Sequence, residues 1–168
     1  MRSSIAFIIV IFFNFSSLAK DVPNCSEDEI YTGKLFQLNI KHSFRGSYEY
    51  KFCVGDESSF LISKYTEHLP QNLPDLLYTS KVKLTVDVSE KLKSIYQKTL
   101  ITLPKESSRG KDGPTWCFKP KSGTSYSVFC YWSAEYESSN RGLNNLHKLK
   151  LFIHDLSGID GRANENST

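Results

Sequence analysis

Apolar and polar residues alternate along much of this chain with a period of two, which is typical of β-strands. Between residues 36 and 44 every second side chain is aliphatic or aromatic, and the same alternation returns between 48 and 54. The short segment 45–47 between them contains a glycine. Two alternating segments joined by such a loop predict a β-hairpin, with Phe44 opposite Tyr48 and one face apolar throughout.

The other strand signals are spread over the rest of the chain. Strands are predicted at residues 60–62, 78–88, 116–118, 125–136 and 148–156, strand-like composition also returns at 99–103, and polar or proline-containing loops are predicted at 68–75, 105–115 and 137–145. Residues 89–98 favour a short helix over a strand, because Ser89 suits an N-cap and three apolar side chains follow in one stripe. The chain is therefore predicted to be mainly β: an antiparallel β-sandwich or barrel-like sheet, with room for one short helix.

The first nineteen residues have the pattern of a cleaved secretory signal peptide. Arg2 precedes an apolar run at residues 5–15, and small residues stand at 17 and 19, the −3 and −1 positions of a cut after Ala19. The alternative is an uncleaved anchor, but this run is shorter than the roughly 20 residues that span a bilayer. We expect a secreted or periplasmic protein without a stable membrane anchor after cleavage.

The mature part, residues 20–168, suits one domain with a loose polar tail from about residue 158. The complete chain carries a formal net charge of +3, and its charged residues are interspersed. Such a mild balance gives no argument for nucleic acid or for an anionic membrane as a partner.

Four cysteines lie in the mature part: Cys25, Cys53, Cys117 and Cys130. An even number in an exported chain implies two disulfides, and no C-x₂₋₄-C pair suggests zinc, so no metal or cofactor is predicted. A turn at residues 123–124 would place Cys117 opposite Cys130, although Pro120 would then occupy a position that should donate an N–H. We therefore predict the pairs Cys117–Cys130 and, by elimination, Cys25–Cys53.

Familiar catalytic motifs are missing from the sequence. His42 lies on the apolar face of the hairpin, where a hydrogen-bonded core histidine is the alternative to a catalytic one. His68 lies in a predicted loop beside Glu67, and is the other weak catalytic candidate. His154 and Asp155 would point to opposite faces of the predicted last strand, and His147, which would begin that strand next to lysines, is expected to be solvated.

Aromatic residues form the strongest candidate for a binding surface. Opposite the face that carries Cys117 and Cys130, we expect the side chains of Trp116, Phe118, Phe129 and Tyr131. Such a face is either covered by a helix or loop, or exposed as a protein-binding surface, because aromatic residues are enriched in interface hot spots. In the second case the neighbouring loops form its rim, and Arg109 and Arg141 help to select the partner.

These features favour an exported protein-binding module over an enzyme. The expected partner is another exported protein, which the chain blocks as an inhibitor or as an immunity-type protein against a secreted toxin. A carrier of a small apolar ligand and a secreted hydrolase using His42 or His68 are the alternatives. On the first hypothesis, Trp116→Ala or Phe118→Ala should weaken binding without unfolding the protein.

Overall fold

A computed structural model describes residues 33–43, 46–55, 58–70, 73–105, 108–121 and 127–159. Their secondary-structure elements are β1 Lys34–His42, β2 Gly46–Val54, β3 Ser59–Glu67, β4 Leu76–Leu84, α1 Val86–Thr102, β5 Thr115–Pro120, β6 Phe129–Trp132 and α2 Asn144–Ser157. The predicted signal peptide, Cys25 and the tail from residue 160 lie outside the described residues. Ile159, the second residue of the tail predicted from about residue 158, is buried.

The six strands form one antiparallel sheet in the order β4-β3-β2-β1-β5-β6. The prediction of a mainly β, antiparallel fold is confirmed. The sheet does not close into a barrel, and two helices rather than a second sheet cover one of its faces. We call the face that carries the helices the inner face, and the opposite one the outer face.

The inner face is built from the alternating apolar residues of the strands. Phe36, Leu38 and Ile40 of β1 are at most 2 % exposed. The ring of Phe36 stacks on Tyr96 of α1, with ring centroids 5.4 Å apart. Burial raises the pKa of Tyr96, and a backbone hydrogen bond with Lys121 partly opposes this change. The core therefore lies between the inner face and the two helices.

The predicted hairpin of β1 and β2 is confirmed, but its pairing differs. Ile40 lies opposite Tyr48, and His42 lies opposite Gly46, so the connection falls at 43–45 and not at 45–47. Gly46 is the first residue of β2, and this position requires glycine because φ is +117° and a Cβ would meet the carbonyl oxygen of Thr66 at 2.1 Å. The shift moves each partner by an even number of residues, so the apolar face is preserved.

The predicted strand 78–88 is too long at its carboxyl end. β4 ends at Leu84, and α1 begins at Val86 after Thr85, whose side chain accepts a hydrogen bond from the backbone N–H of Val88 at 3.4 Å. Such an N-cap satisfies a backbone donor that the helix itself cannot. The predicted helix at 89–98 is confirmed and extends to residue 102, so the strand-like composition of 99–103 was misleading.

The predicted last strand, residues 148–156, is wrong: this segment lies in α2. Leu146, Leu149 and Ile153 are each at most 1 % exposed, and their spacing of three and four residues places them on one face of a helix. Gly158 ends the helix with φ +61°, the left-handed conformation that favours glycine at this position.

The Cys117–Cys130 disulfide is confirmed, and the two residues lie directly opposite each other in β5 and β6. β6 covers residues 129–132, so the strand predicted at 125–136 is shorter. Cys53 also takes part in a disulfide. Its predicted partner, Cys25, lies outside the described residues.

Candidate binding cleft

A cleft of about 310 Å³ lies between one end of the sheet and helix α2. Its chemically active lining consists of three of the four histidines, one lysine, one glutamate and two large aromatic residues: His42, His147, His154, Lys150, Glu135, Trp116 and Tyr48. We call this feature the histidine cleft. It is the place in the described chain where residues predicted separately to be solvated, buried or catalytic come together.

The secondary structure explains this convergence. His42 is the last residue of β1, and it faces the inner side of the sheet together with Ile40. Helix α2 supplies His147, Lys150 and His154, which follow one another at spacings of three and four residues and therefore share one side of the helix. Because α2 packs beside this end of the sheet, its polar stripe lines the cleft while its apolar stripe enters the core.

His154 is held in place by tyrosines. Its Nδ1 atom lies 2.6 Å from the hydroxyl oxygen of Tyr50, which is fully buried. Its ring also meets the ring of Tyr48 edge-on, with centroids 5.5 Å apart. When the Tyr50 hydroxyl donates this hydrogen bond, Nδ1 is the acceptor and the proton of a neutral imidazole lies on Nε2. A ring fixed in this way presents a donor in a defined direction.

Trp116 and His147 form a second aromatic pair in the cleft. Their rings meet edge-on with centroids 6.0 Å apart. Trp116 is 3 % exposed, and its indole N–H is buried without a hydrogen-bond partner. A buried polar group of this kind is uncommon, and a bound molecule is one way to satisfy it.

The cleft combines charged groups with several hydrogen-bond donors. Lys150 and Glu135 carry opposite charges, and the three imidazole rings and the indole of Trp116 add N–H groups. Within the described ranges, no group of three or more histidines, cysteines or carboxylates is arranged to hold a metal ion. The lining suits an anionic group better than a cation or an apolar ligand.

His68, the other catalytic candidate, lies elsewhere. It is exposed on the loop before β4, and its Nδ1 atom lies 3.0 Å from a carboxylate oxygen of Asp75. Both side chains are more than 40 % exposed. An exposed pair on a loop is strongly screened by solvent, so this arrangement offers neither a water-excluded site nor a defined substrate position.

The helices cover the predicted aromatic surface, which is the first of its two alternatives, and of its four residues Trp116 also lines the histidine cleft. Trp116, Phe118 and Tyr131 are at most 3 % exposed and belong to the core, and Phe129 packs against it. The face that carries Cys117 and Cys130 is the outer one, so the predicted inside and outside of these strands are exchanged. Burial also raises the pKa of Tyr131 to about 12, and its hydroxyl donates a hydrogen bond to the carbonyl of Pro104.

The two predicted arginines of the rim have different environments. Arg141 donates hydrogen bonds to the backbone carbonyls of Ser133, Tyr136 and Trp132, and to the hydroxyl of Ser108. It therefore ties the loop after β6 to the rest of the chain, and its guanidinium is used within the protein. Arg109 is exposed.

Sequence reasoning missed the role of His147, Lys150 and His154 because it assigned their segment to a strand. In a strand, His147 would point to the face opposite Lys150 and His154, so the three residues would not form one group. His147 was also expected to be solvated. The missed signal is the apolar spacing at 146, 149 and 153 together with the glycine at 158, which is typical of a helix and its end.

The chain matches no known protein-family model, and a search of curated proteins found no similar sequence. Within the part of the chain that the structure describes, neither helix is long and apolar enough to cross a membrane.

Proposed function

We propose that this protein is an exported binding module that recognises an acidic side chain of another exported protein in the histidine cleft. The observation that carries this proposal is the convergence of His42, His147, His154 and Lys150 on one cavity. Protein sites that bind a carboxylate place several N–H donors around it, and the cleft offers that set on two rigid elements. Export is supported by the Cys117–Cys130 disulfide, which suits an oxidising compartment.

The aromatic lining adds to the case for a protein partner. Trp116 and Tyr48 border the same cavity, and sites of this size commonly combine aromatic walls with a few polar groups that fix orientation. An acidic side chain entering the cleft would place its carboxylate among the donors and its aliphatic stem against these rings. This site replaces the buried aromatic surface that the sequence predicted, while the class of function stays that of a binding module.

The test uses two short synthetic peptides, acetyl-Ala-Glu-Ala-amide and its glutamine counterpart, titrated into the protein while the histidine ring signals are followed by NMR. The glutamate peptide should shift the signals of His42, His147 and His154, and the glutamine peptide should not. His154→Gln should weaken this binding about tenfold, whereas His68→Gln, a matched change outside the cleft, should leave it unchanged. Equal responses to both peptides, or an equal loss in both variants, would exclude the proposal.

A hydrolase is the second candidate, because Glu135 lines the cleft together with the three histidines. A carboxylate and an imidazole in one cavity are the groups that general acid–base catalysis uses most often. Turnover of p-nitrophenyl esters or bis(p-nitrophenyl) phosphate that is abolished in both His42→Ala and His154→Gln, but retained in His68→Gln, would favour this reading over simple binding.

A further inference from the structure

The outer face of the sheet is strongly basic, which the net charge of the chain does not reveal. Alternation along the strands directs six lysines to this face: Lys41, Lys51, Lys64, Lys81, Lys83 and Lys119. Among the described strand residues that face this way, Glu49 is the single acidic side chain. The positive charge is therefore concentrated on one side of the molecule, opposite the helices.

A depression of about 250 Å³ lies on this face, across β1, β2 and β3. Lys41 and Lys64, both exposed, stand at two diagonal corners of it. Their backbones are two strands and two residues apart, about 12 Å, which two long side chains converging on one anion can span. Between them lie polar side chains that offer hydrogen-bond donors, namely Ser47, Thr66 and Asn39.

Glu49 also lines this depression, but its charge is already compensated. Gln37 donates a hydrogen bond from Nε2 to one carboxylate oxygen at 2.9 Å, and the ammonium of Lys51 lies 3.1 Å from the other. The Lys51 side chain is 11 % exposed, so this ion pair is shielded from water more than the lysines around it. The depression therefore retains the uncompensated positive charge of its two corner lysines.

The basic surface continues from the depression along β4. Lys64 lies opposite Thr79, so Lys81 is its diagonal neighbour at about 7–8 Å, and Lys83 follows two residues later on the same side. Both β4 lysines are exposed, and Lys81 lies over the ring of Phe60 at 5.0 Å. Positive groups thus follow one another across the face from β1 to β4 and then along β4, as a ligand with repeated negative charges requires.

We propose that this face binds a linear sulfated polysaccharide, with one sulfate group in the depression between Lys41 and Lys64 and others on Lys81 and Lys83. Hydroxyl and amide side chains suit the hydroxyl groups of a sugar. A single-stranded nucleic acid would need exposed aromatic rings for its bases, and on the described outer face of β1 to β4 the one aromatic ring, Phe60, lies beneath a lysine. A bilayer surface contacts side chains that protrude from a protein, whereas the hydroxyl and amide donors here line a recess.

The test measures binding of the mature protein to heparin by calorimetry at several salt concentrations. Lys41→Gln/Lys64→Gln should weaken binding at least tenfold, and should reduce the salt dependence of the logarithm of the affinity by about one per lysine removed, as for phosphate contacts on nucleic acids. The matched control, Lys98→Gln/Lys148→Gln, removes the same charge from exposed positions on α1 and α2 and should bind like the parent protein.

Three results would overturn the proposal: no binding of heparin, an equal loss in both double variants, or tighter binding to another polyanion. Single-stranded DNA and phosphatidylserine vesicles are therefore measured under the same conditions. The vesicles matter because Leu73, Leu76 and Leu77, at one end of β4, are each more than 40 % exposed and could enter a lipid surface. Thermal unfolding of each variant confirms that the fold is intact.

Discussion

Phe118 is the residue whose replacement best separates a core position from a binding position. Its side chain is fully buried, and its ring lies 5.7 Å from that of Phe36 and 6.2 Å from that of Tyr96, measured between centroids. The neighbouring strands place Leu38 and Phe129 on either side of it. Phe118→Ala therefore removes the centre of an aromatic cluster that joins the sheet to α1.

The expected loss of stability follows from this enclosure. Replacing a buried phenylalanine by alanine costs about 3–5 kcal/mol, because the transfer free energy is lost and a cavity remains. Rings from both the sheet and α1 surround this site, so little collapse is possible, and we expect about 4 kcal/mol. The total free energy of unfolding of a domain is about 5–15 kcal/mol, so the variant should be folded but weak. Phe118→Leu keeps more of the apolar volume and should cost less than Phe118→Ala.

Urea unfolding followed by circular dichroism measures this difference. With a slope of about 2 kcal/mol per molar urea, Phe118→Ala should lower the midpoint by about 2 M. Val128→Ala, next to β6 at a side chain that is 47 % exposed, is the control and should change the free energy by about 0.5 kcal/mol or less. A change below 1 kcal/mol in Phe118→Ala would refute the burial argument and restore the exposed aromatic surface as a binding site.

Two further predictions concern stability. Replacing Cys117 and Cys130 together by alanine should lower the free energy of unfolding by about 3 kcal/mol, because the disulfide closes a loop with a sequence separation of 13; a urea-measured loss below 1 kcal/mol would contradict this estimate. Because burial raises the pKa of Tyr131 to about 12, the unfolded chain releases this proton first, near pH 10, and stability should fall as the pH rises from 10 to 12. Tyr131→Phe should make that fall less steep, whereas Tyr136→Phe, at an exposed position, should not. The criterion is the slope of the free energy of unfolding against pH, because Tyr131→Phe also loses a hydrogen bond at every pH.

Period-two alternation predicted the sheet because it reports local burial directly. In β1 and β2 the alternating residues are the ones that face the helices, so the hairpin and its apolar side followed from the sequence. The pairing within the hairpin did not follow from the sequence, because a glycine at position 46 suits a turn and a close contact with Thr66 equally well. Only the presence of the third strand, β3, decides between these two positions. Local sequence patterns thus predict which face of a strand is buried better than they predict which residues of two strands lie opposite each other.

The histidine cleft was harder to predict because it depends on one ambiguous segment. Residues 148–153 alternate lysine and leucine at first, which imitates a half-buried strand. The apolar residues that are buried are 146, 149 and 153, whereas Leu151 is 52 % exposed. When the segment is assigned to a helix, His147 and His154 lie on the same side of it and face the same cleft. An error in one element therefore removed two of the three histidines from the candidate list.

The mild net charge of the chain conceals how its charges are distributed over the two faces of the sheet, for a related physical reason. Net charge sums over all residues, whereas a ligand experiences only the face it approaches. Lys41 and His42 are neighbours in β1, yet alternation sends the first to the outer depression and the second to the cleft. Six outer-face lysines coexist with a net charge of +3 because only one of the chain's 18 acidic residues, Glu49, stands among the described strand positions of that face. In a two-layer fold of this kind, the period of the pattern rather than the sum of the charges determines what each surface can bind.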